Sequence, residues 1–187
     1  DWEIECENRS RIVTILALHG GGIEPATTEL AYTIAHCGDY NYFSFKGMRS
    51  KGNNELHVTS THYDDQIALD LVRGSQRTVA IHGCEGNESV AYIGGSDDRL
   101  IELITESLED IGISVREAPH HISGTQENNI VNMTQTQGGV QLELTAQLRK
   151  ELFKNRKSSR KNRENKDNWD DLMYDFADAM KKAIERA

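Results

Sequence analysis

Proline occurs only twice in the 187 residues, at Pro25 and Pro119, so no proline-rich linker divides the chain. Cysteine is scarce as well. Cys6, Cys37 and Cys84 make an odd count in a chain long enough to fold without staples, which argues against a disulfide framework and for synthesis in a reducing compartment. Long apolar runs are missing: the longest, Ile12 to Leu18, is strand-sized and interrupted by Thr14, far below the ~18 residues that span a bilayer. A transmembrane helix is excluded, and no membrane partner is expected. The opening Asp1-Trp2-Glu3-Ile4-Glu5 lacks the basic start and apolar centre of a secretory signal.

Positive charge is also in deficit, with 21 Lys and Arg against 30 Asp and Glu for a net charge of -9. What there is clusters. From Arg149 to Lys166 nine Lys and Arg stand against Glu151 and Glu164, a local excess of seven. Such a segment is either a strip for a polyanion or a solvated basic helix or loop. No aromatic residue lies between Arg156 and Arg163 and no nucleic-acid motif accompanies them, so nucleic acid is not an expected partner.

The pattern along the chain is that of one α/β domain, residues 1–187, without internal repeats. Arg11 to Leu18 reads as a central strand covered on both faces, stopped by Gly20-Gly21-Gly22. A helix then starts at Pro25 and runs to about His36, with Leu30, Ala31, Ile34 and Ala35 at helical spacing. Further strands are expected at Thr78 to Ile81, Ser89 to Ile93, Ile113 to Val115 and Val140 to Leu144. Helices are expected from Leu100 to Ile111, closed by Gly112, and from about Trp169 to Ile184. Residues 37–66 and 117–139 are polar and read as long loops that wall a site.

Three side chains gather at the ends of buried strands. His19 closes the first strand, Glu24 follows across the glycine turn, and His82 closes Val79-Ala80-Ile81. Ligands in open α/β sheets collect outside the carboxyl ends of strands, and two histidines with one glutamate form the donor set of catalytic zinc sites. The plainer reading is three hydrogen-bonded structural residues. Glu143 sits inside Val140-Gln141-Leu142-Glu143-Leu144, where alternation puts it on one face with Gln141. It is either a solvent-facing edge-strand carboxylate or, beside a metal, a general base.

Four spaced motifs settle which family the chain resembles. HGGGIEPATTELA (His19 to Ala31), ELHVTSTHYDDQ (Glu55 to Gln66), AIHGCEG (Ala80 to Gly86) and GGVQLELTAQLR (Gly138 to Arg149) are similar to those of the poly-γ-glutamate hydrolases of bacteriophages and some of their hosts. The resemblance covers about residues 11–150. It departs at Leu18 and Gln66, where proline is expected, and at Ala26, where glycine is expected. It implies an open mixed β-sheet flanked by helices, similar to zinc carboxypeptidases. It further implies a zinc metallopeptidase with one Zn2+ per chain, acting as a monomer on γ-glutamyl linkages of capsular poly-γ-glutamate and cutting internally. Carried over by motif, His19, Glu24 and His82 are the zinc ligands and Glu143 the base. A chain made in the host cytoplasm without a signal peptide would act outside the cell after lysis.

A γ-linked polymer offers a free α-carboxylate at every residue, and planar Arg forks suit carboxylates. Arg49, Arg73 and Arg149 are the candidates, with Arg149 following the QLELT motif by a helical turn. His57 and His62 are candidate site-wall residues, and His120 and His121 weaker ones. Cys84 reads as buried packing. The HGGG of His19 to Gly22 also resembles the oxyanion motif of esterases, but no G-x-S-x-G elbow occurs. A phosphate cradle is disfavoured by the acid at Glu24 and the missing Gly-Lys-Ser/Thr ending. The remaining rival is a non-catalytic, zinc-stabilised capsule-binding or peptidoglycan-binding module.

Overall fold

A computed structural model describes residues 1–187. The first expected strand is β2 (Val13–Gly21), buried at all nine positions, as its nearly continuous apolar run requires of a strand covered on both faces. It runs through His19 and into the glycines rather than stopping before them. Helix α1 (Thr27–Gly38) starts two residues later than expected, because Ala26 takes a left-handed φ of 84° and turns the chain. That is the conformation glycine adopts without steric cost, which accounts for the glycine expected there.

The polar stretch 37–66 contains more structure than its composition suggested. Strand β3 (Asn41–Gly47) lies inside it, and α2 (Gln66–Arg73) starts at its end, capped by the Asp65 carboxylate accepting from Ala68 N at 3.0 Å. At the N-terminus, β1 (Trp2–Glu7) pairs with β3 as an edge strand. The remaining elements are β4 (Arg77–Cys84), β5 (Val90–Gly95), α3 (Asp98–Asp110), β6 (Ser114–Glu117), β7 (Val140–Thr145), α4 (Ala146–Glu151), α5 (Arg160–Arg163) and α6 (Asp171–Arg186).

One mixed seven-stranded sheet results, in the order β1-β3-β2-β4-β7-β5-β6. Strands β3, β2, β4 and β7 are parallel, and β5 returns antiparallel to β7. Glu143 therefore does not lie on an edge strand. It is central, beside His82 on β4 and Tyr92 on β5. Helices α1, α3 and α6 cover one face with a cluster of 33 buried residues that includes Val140, Leu142 and Leu144. The other face carries only α2 and the turn at 130–132, with 10 buried residues. That lighter face receives Gln141 and Glu143, so the alternation in β7 separates core from cavity.

A bulge aims His19. Between Ala17, opposite Ser44, and Gly20, opposite Lys46, both Leu18 and His19 face the single residue Phe45. Strict alternation would put His19 with Ile15 and Ala17 under α1; the extra residue turns it to the other face.

The basic run from 149 to 166 resolves into stitching rather than a continuous strip. Arg163 is buried against Glu29 at 3.3 Å and donates to the carbonyls of Ser158 and Gly21. Arg160 pairs with Glu164, Lys154 donates to Asp167 O, and Lys166 lies over the rings of Tyr32 and Trp169.

The glycines after His19 are required by close approach. A Cβ on Gly20 would sit 2.0 Å from Thr28 Oγ1 and 2.9 Å from the Phe45 carbonyl. Gly21, at φ +63°, would place one 2.5 Å from Gly47 O. Gly21→Ala is therefore expected to cost about 2 kcal/mol or more, from strain and from parting β2 and β3. Urea unfolding should show a lower midpoint, and an unchanged midpoint would contradict this account.

Candidate active site

The turn after β2 folds Glu24 back onto the strand end. Its amide donates to His19 O at 2.8 Å, and Thr27 Oγ1 secures the Glu24 carbonyl at 2.9 Å. The carboxylate then meets three imidazoles. His19 Nδ1 lies 3.0 Å from Oε1, His82 Nδ1 lies 3.6 Å from Oε2, and His57 Nε2 lies 3.6 Å from Oε1. His19 and His82 approach Nδ1 to Nδ1 at 3.1 Å, while the His57 ring stacks on His19 with centroids 3.8 Å apart. Gly83 N donates to Glu24 Oε2 at 2.9 Å, tying the carboxylate to β4.

The donor chemistry calls for a cation. His19 Nε2 lies 2.7 Å from the Val58 carbonyl, which only accepts, so that nitrogen carries the proton. In the neutral ring Nδ1 is then a lone pair aimed at a carboxylate oxygen, and two acceptors at 3.0 Å need either a second proton on the imidazole or a metal between them. His19 Nδ1 lies 3.0 Å from Glu24 Oε1 and 3.1 Å from His82 Nδ1, whereas His82 reaches the other carboxylate oxygen, Oε2, at 3.6 Å, so the carboxylate bridges the two rings through different oxygens. His82 Nε2 is buried without a partner.

The motif points to His82 as the third donor, but the three residues whose ligand atoms meet, all within 4.8 Å of one another, are His19, Glu24 and His57. His82 stands on a strand and is buried, whereas His57 follows the short turn Asn53–Leu56 and its side chain is 40% exposed. The rigid residue suits a ligand, and the exposed one suits the wall.

Electrostatics divide the two carboxylates. Burial alone would raise the pKa of Glu24, but bonds from His19, His57 and His82 outweigh it and hold the group far below the usual carboxylate range. Glu143 is pushed up to about 8 by burial and then by the Glu24 charge, against a single bond from Gln141. Two acids with pKa values driven apart are the arrangement that assigns one to binding charge and the other to moving a proton. Burial lowers the His82 pKa, and the bond to Glu24 raises that of His57.

These groups line a cavity of about 600 Å³, walled by residues 57–62 and by residues from His121 to Asn129. His62 and His121 are in its wall, and His120 is not. Cys84 also lines it, half-buried rather than in the core, with burial raising its thiol to about 11.

None of the three arginines reaches this cavity. Arg49 pairs with Asp1 and Glu55 at the surface, and Arg73 is exposed at the end of α2. Arg149 is buried, donating to the carbonyls of Leu144, Pro25 and Cys84 at 3.1, 2.9 and 3.0 Å. It clamps β7, the turn before α1 and the end of β4. The expectation of Arg forks in the cleft is thus corrected: the lining offers hydroxyls, amides and imidazoles instead. The sequence reading gave Gln141 and Asn129 no chemical role, because their significance lies in partners distant along the chain.

Comparison with known proteins identifies the family and the fold. The family described as poly-gamma-glutamate hydrolase matches residues 1–179. The SPbeta prophage-derived protein YoqZ of Bacillus subtilis (strain 168) is 39% identical over 145 residues, 76% of this chain and 52% of that protein. YndL of the same organism is 32% identical over 155 residues, covering 82% of this chain and 61% of its own length. The chain thus spans between half and two thirds of these two curated relatives. Among solved structures, a bacteriophage poly-gamma-glutamate hydrolase superposes with a TM-score of 0.94 at 32% identity, covering 99% of this chain and 88% of the other. A zinc-free apo form of YndL superposes with 0.92 at 29%, covering 99% and 90%.

Two outcomes follow from the geometry. Zinc titration followed by calorimetry in buffers of different ionisation enthalpy should show proton release on binding, with apparent affinity falling as pH falls. His82→Ala should lose most of that affinity and His57→Ala little; the reverse would make His57 the ligand. Arg149→Lys should lower stability by about 2–4 kcal/mol through unpaired buried carbonyls, with KM of the folded fraction hardly changed.

Proposed function

Since the chain belongs to the poly-γ-glutamate hydrolase family, we propose that it is a zinc-dependent hydrolase of γ-glutamyl amide bonds in poly-γ-glutamate. The observation that carries this reading is the convergence of His19, Glu24, His57, His82 and Glu143 on one cavity.

His19, Glu24 and His82 would hold the ion. When bound, zinc supplies Lewis-acid polarisation of the scissile carbonyl and acidifies an attacking water. Glu143 would take the proton from the attacking water and deliver it to the departing α-amine. His57, stacked on His19 with its Nε2 3.6 Å from Glu24 Oε1, braces the orientation of both. The walls are fastened to each other, with Ile130 N donating to Ser60 O at 3.0 Å and Asn128 Nδ2 to Thr61 O at 3.4 Å.

The open cavity suits internal cleavage of a polymer by a single chain. The likeness to a bacteriophage hydrolase and to a prophage-derived protein supports a role in opening capsules after release by lysis. The place of His57 beside His19 and Glu24 favours the binding-module rival, since His57 as a fourth ligand with His82 would close the site and make it structural. X-ray absorption on the zinc-loaded protein separates the two by the number of imidazoles.

The direct test is the size of poly-γ-glutamate after incubation, with α-linked polyglutamate alongside. Shortening of the γ-polymer alone, abolished by chelator and restored by zinc, is the expected result. An intact polymer with zinc-loaded protein overturns the reading. Glu143→Gln should lower kcat by about 10²- to 10⁴-fold while zinc stays bound.

A further inference from the structure

Gln141 is a buried polar residue to which the reading above gives no part. It lies two residues before Glu143 on the cavity face of β7 and is 5% exposed. Its Nε2 donates to Glu143 Oε1 at 3.0 Å and to the Ile122 carbonyl at 3.3 Å. Its Oε1 accepts from Asn129 Nδ2 at 3.1 Å, and Asn129 Oδ1 in turn accepts from Val131 N at 3.1 Å.

Both amides are oriented by the backbone. The Val131 N–H only donates, which sets the oxygen of Asn129 toward it and its nitrogen toward Gln141; the Ile122 carbonyl only accepts, which sets the nitrogen of Gln141 toward Glu143. Both N–H groups of Gln141 are then engaged, leaving none for a substrate. Gly124, at φ +64°, lets the loop press onto this amide, since a Cβ there would lie 2.9 Å from Gln141 Oε1. Asn132 holds the loop in that position through the Gly124 carbonyl at 2.7 Å.

We propose that Gln141, oriented by Asn129, is a positioning residue that aims the Glu143 carboxylate. Through it the loop 122–132 sets the competence of the base. The inference rests on the reading of Glu143 as that base. An N–H donated to a carboxylate also stabilises its charged form, which makes the pH profile a readout of this bond. The other groups around Glu143 are Glu24, Arg149 and Cys84, with His82 and Tyr92 beside it on the neighbouring strands.

Gln141→Met keeps the length and removes the donor. In the zinc-loaded enzyme it should lower kcat about 10- to 100-fold, with KM and zinc content unchanged, and move the acidic limb of the kcat/KM profile to higher pH. In a Glu143→Gln background it should cost nothing further. An unmoved limb, or a full second loss in that background, overturns the proposal. Asn129→Ala carries the same two readouts at smaller amplitude should Gln141→Met fail to fold. If the wild-type chain leaves poly-γ-glutamate intact, the functional reading has failed and the positioning role is decided separately. Carbon-13 NMR titration of the Glu143 carboxyl in zinc-loaded wild type and Gln141→Met should then show a higher midpoint in the variant, and equal midpoints reject it.

Discussion

A carboxylate taken out of water governs this molecule. Glu24 sits at the end of a glycine turn with its charge withdrawn from solvent, and an isolated buried charge would be prohibitively costly. Three imidazoles and the Gly83 amide surround it, from three different stretches of chain. Each of these stretches is itself braced: His19 by the β2 bulge and the Val58 carbonyl, Gly83 by parallel pairing of β4 with β7, His57 by stacking on His19. The close approach of Gly20 and Gly21 to α1 and β3 is part of the same requirement, because any side chain there would move His19 away.

The unequal cover of the sheet makes room for chemistry. Three helices seal one face, where the apolar half of β7 packs, and the thinner cover of the other leaves a hollow over Gln141 and Glu143. Central strands make this hollow precise, since β4 and β7 hold His82 and Glu143 side by side through main-chain hydrogen bonds. The loops that wall the hollow are fastened to each other and, through Asn129, to the sheet itself. The polar stretches thus act as ordered walls.

Cationic side chains serve this architecture in an unexpected way. In a chain of net charge -9, Arg149 and Arg163 are buried and their guanidinium groups gather backbone carbonyls from distant segments. A planar fork with five donors joins several main-chain oxygens at once, which a lysine cannot do with the same geometry. The local excess of charge around residue 160 reflects this joining of the C-terminal part to the ends of β2 and β3 as much as any affinity for a polyanion.

Most of what was legible in the sequence is local. The apolar run of β2, the periodicity of α3 and α6 and the alternation in β7 report burial directly, since hydrophobic spacing records which face of an element leaves water. Four motifs identified the family and named His19, Glu24, His82 and Glu143, residues that the fold brings around one cavity. Strands β1 and β3 were missed although Trp2–Glu7 alternates with period two and Asn41–Gly47 carries Tyr42, Phe43 and Phe45, because so short a segment becomes a strand only by pairing with a neighbour the sequence does not name. Which cations face the cleft, which histidine stacks on His19 and how Asn129 reaches Glu143 through Gln141 were decided by the tertiary structure alone. Those contacts join residues far apart in the chain, and a hydrogen bond's partner is set by where the backbone ends up rather than by the type of residue that makes it.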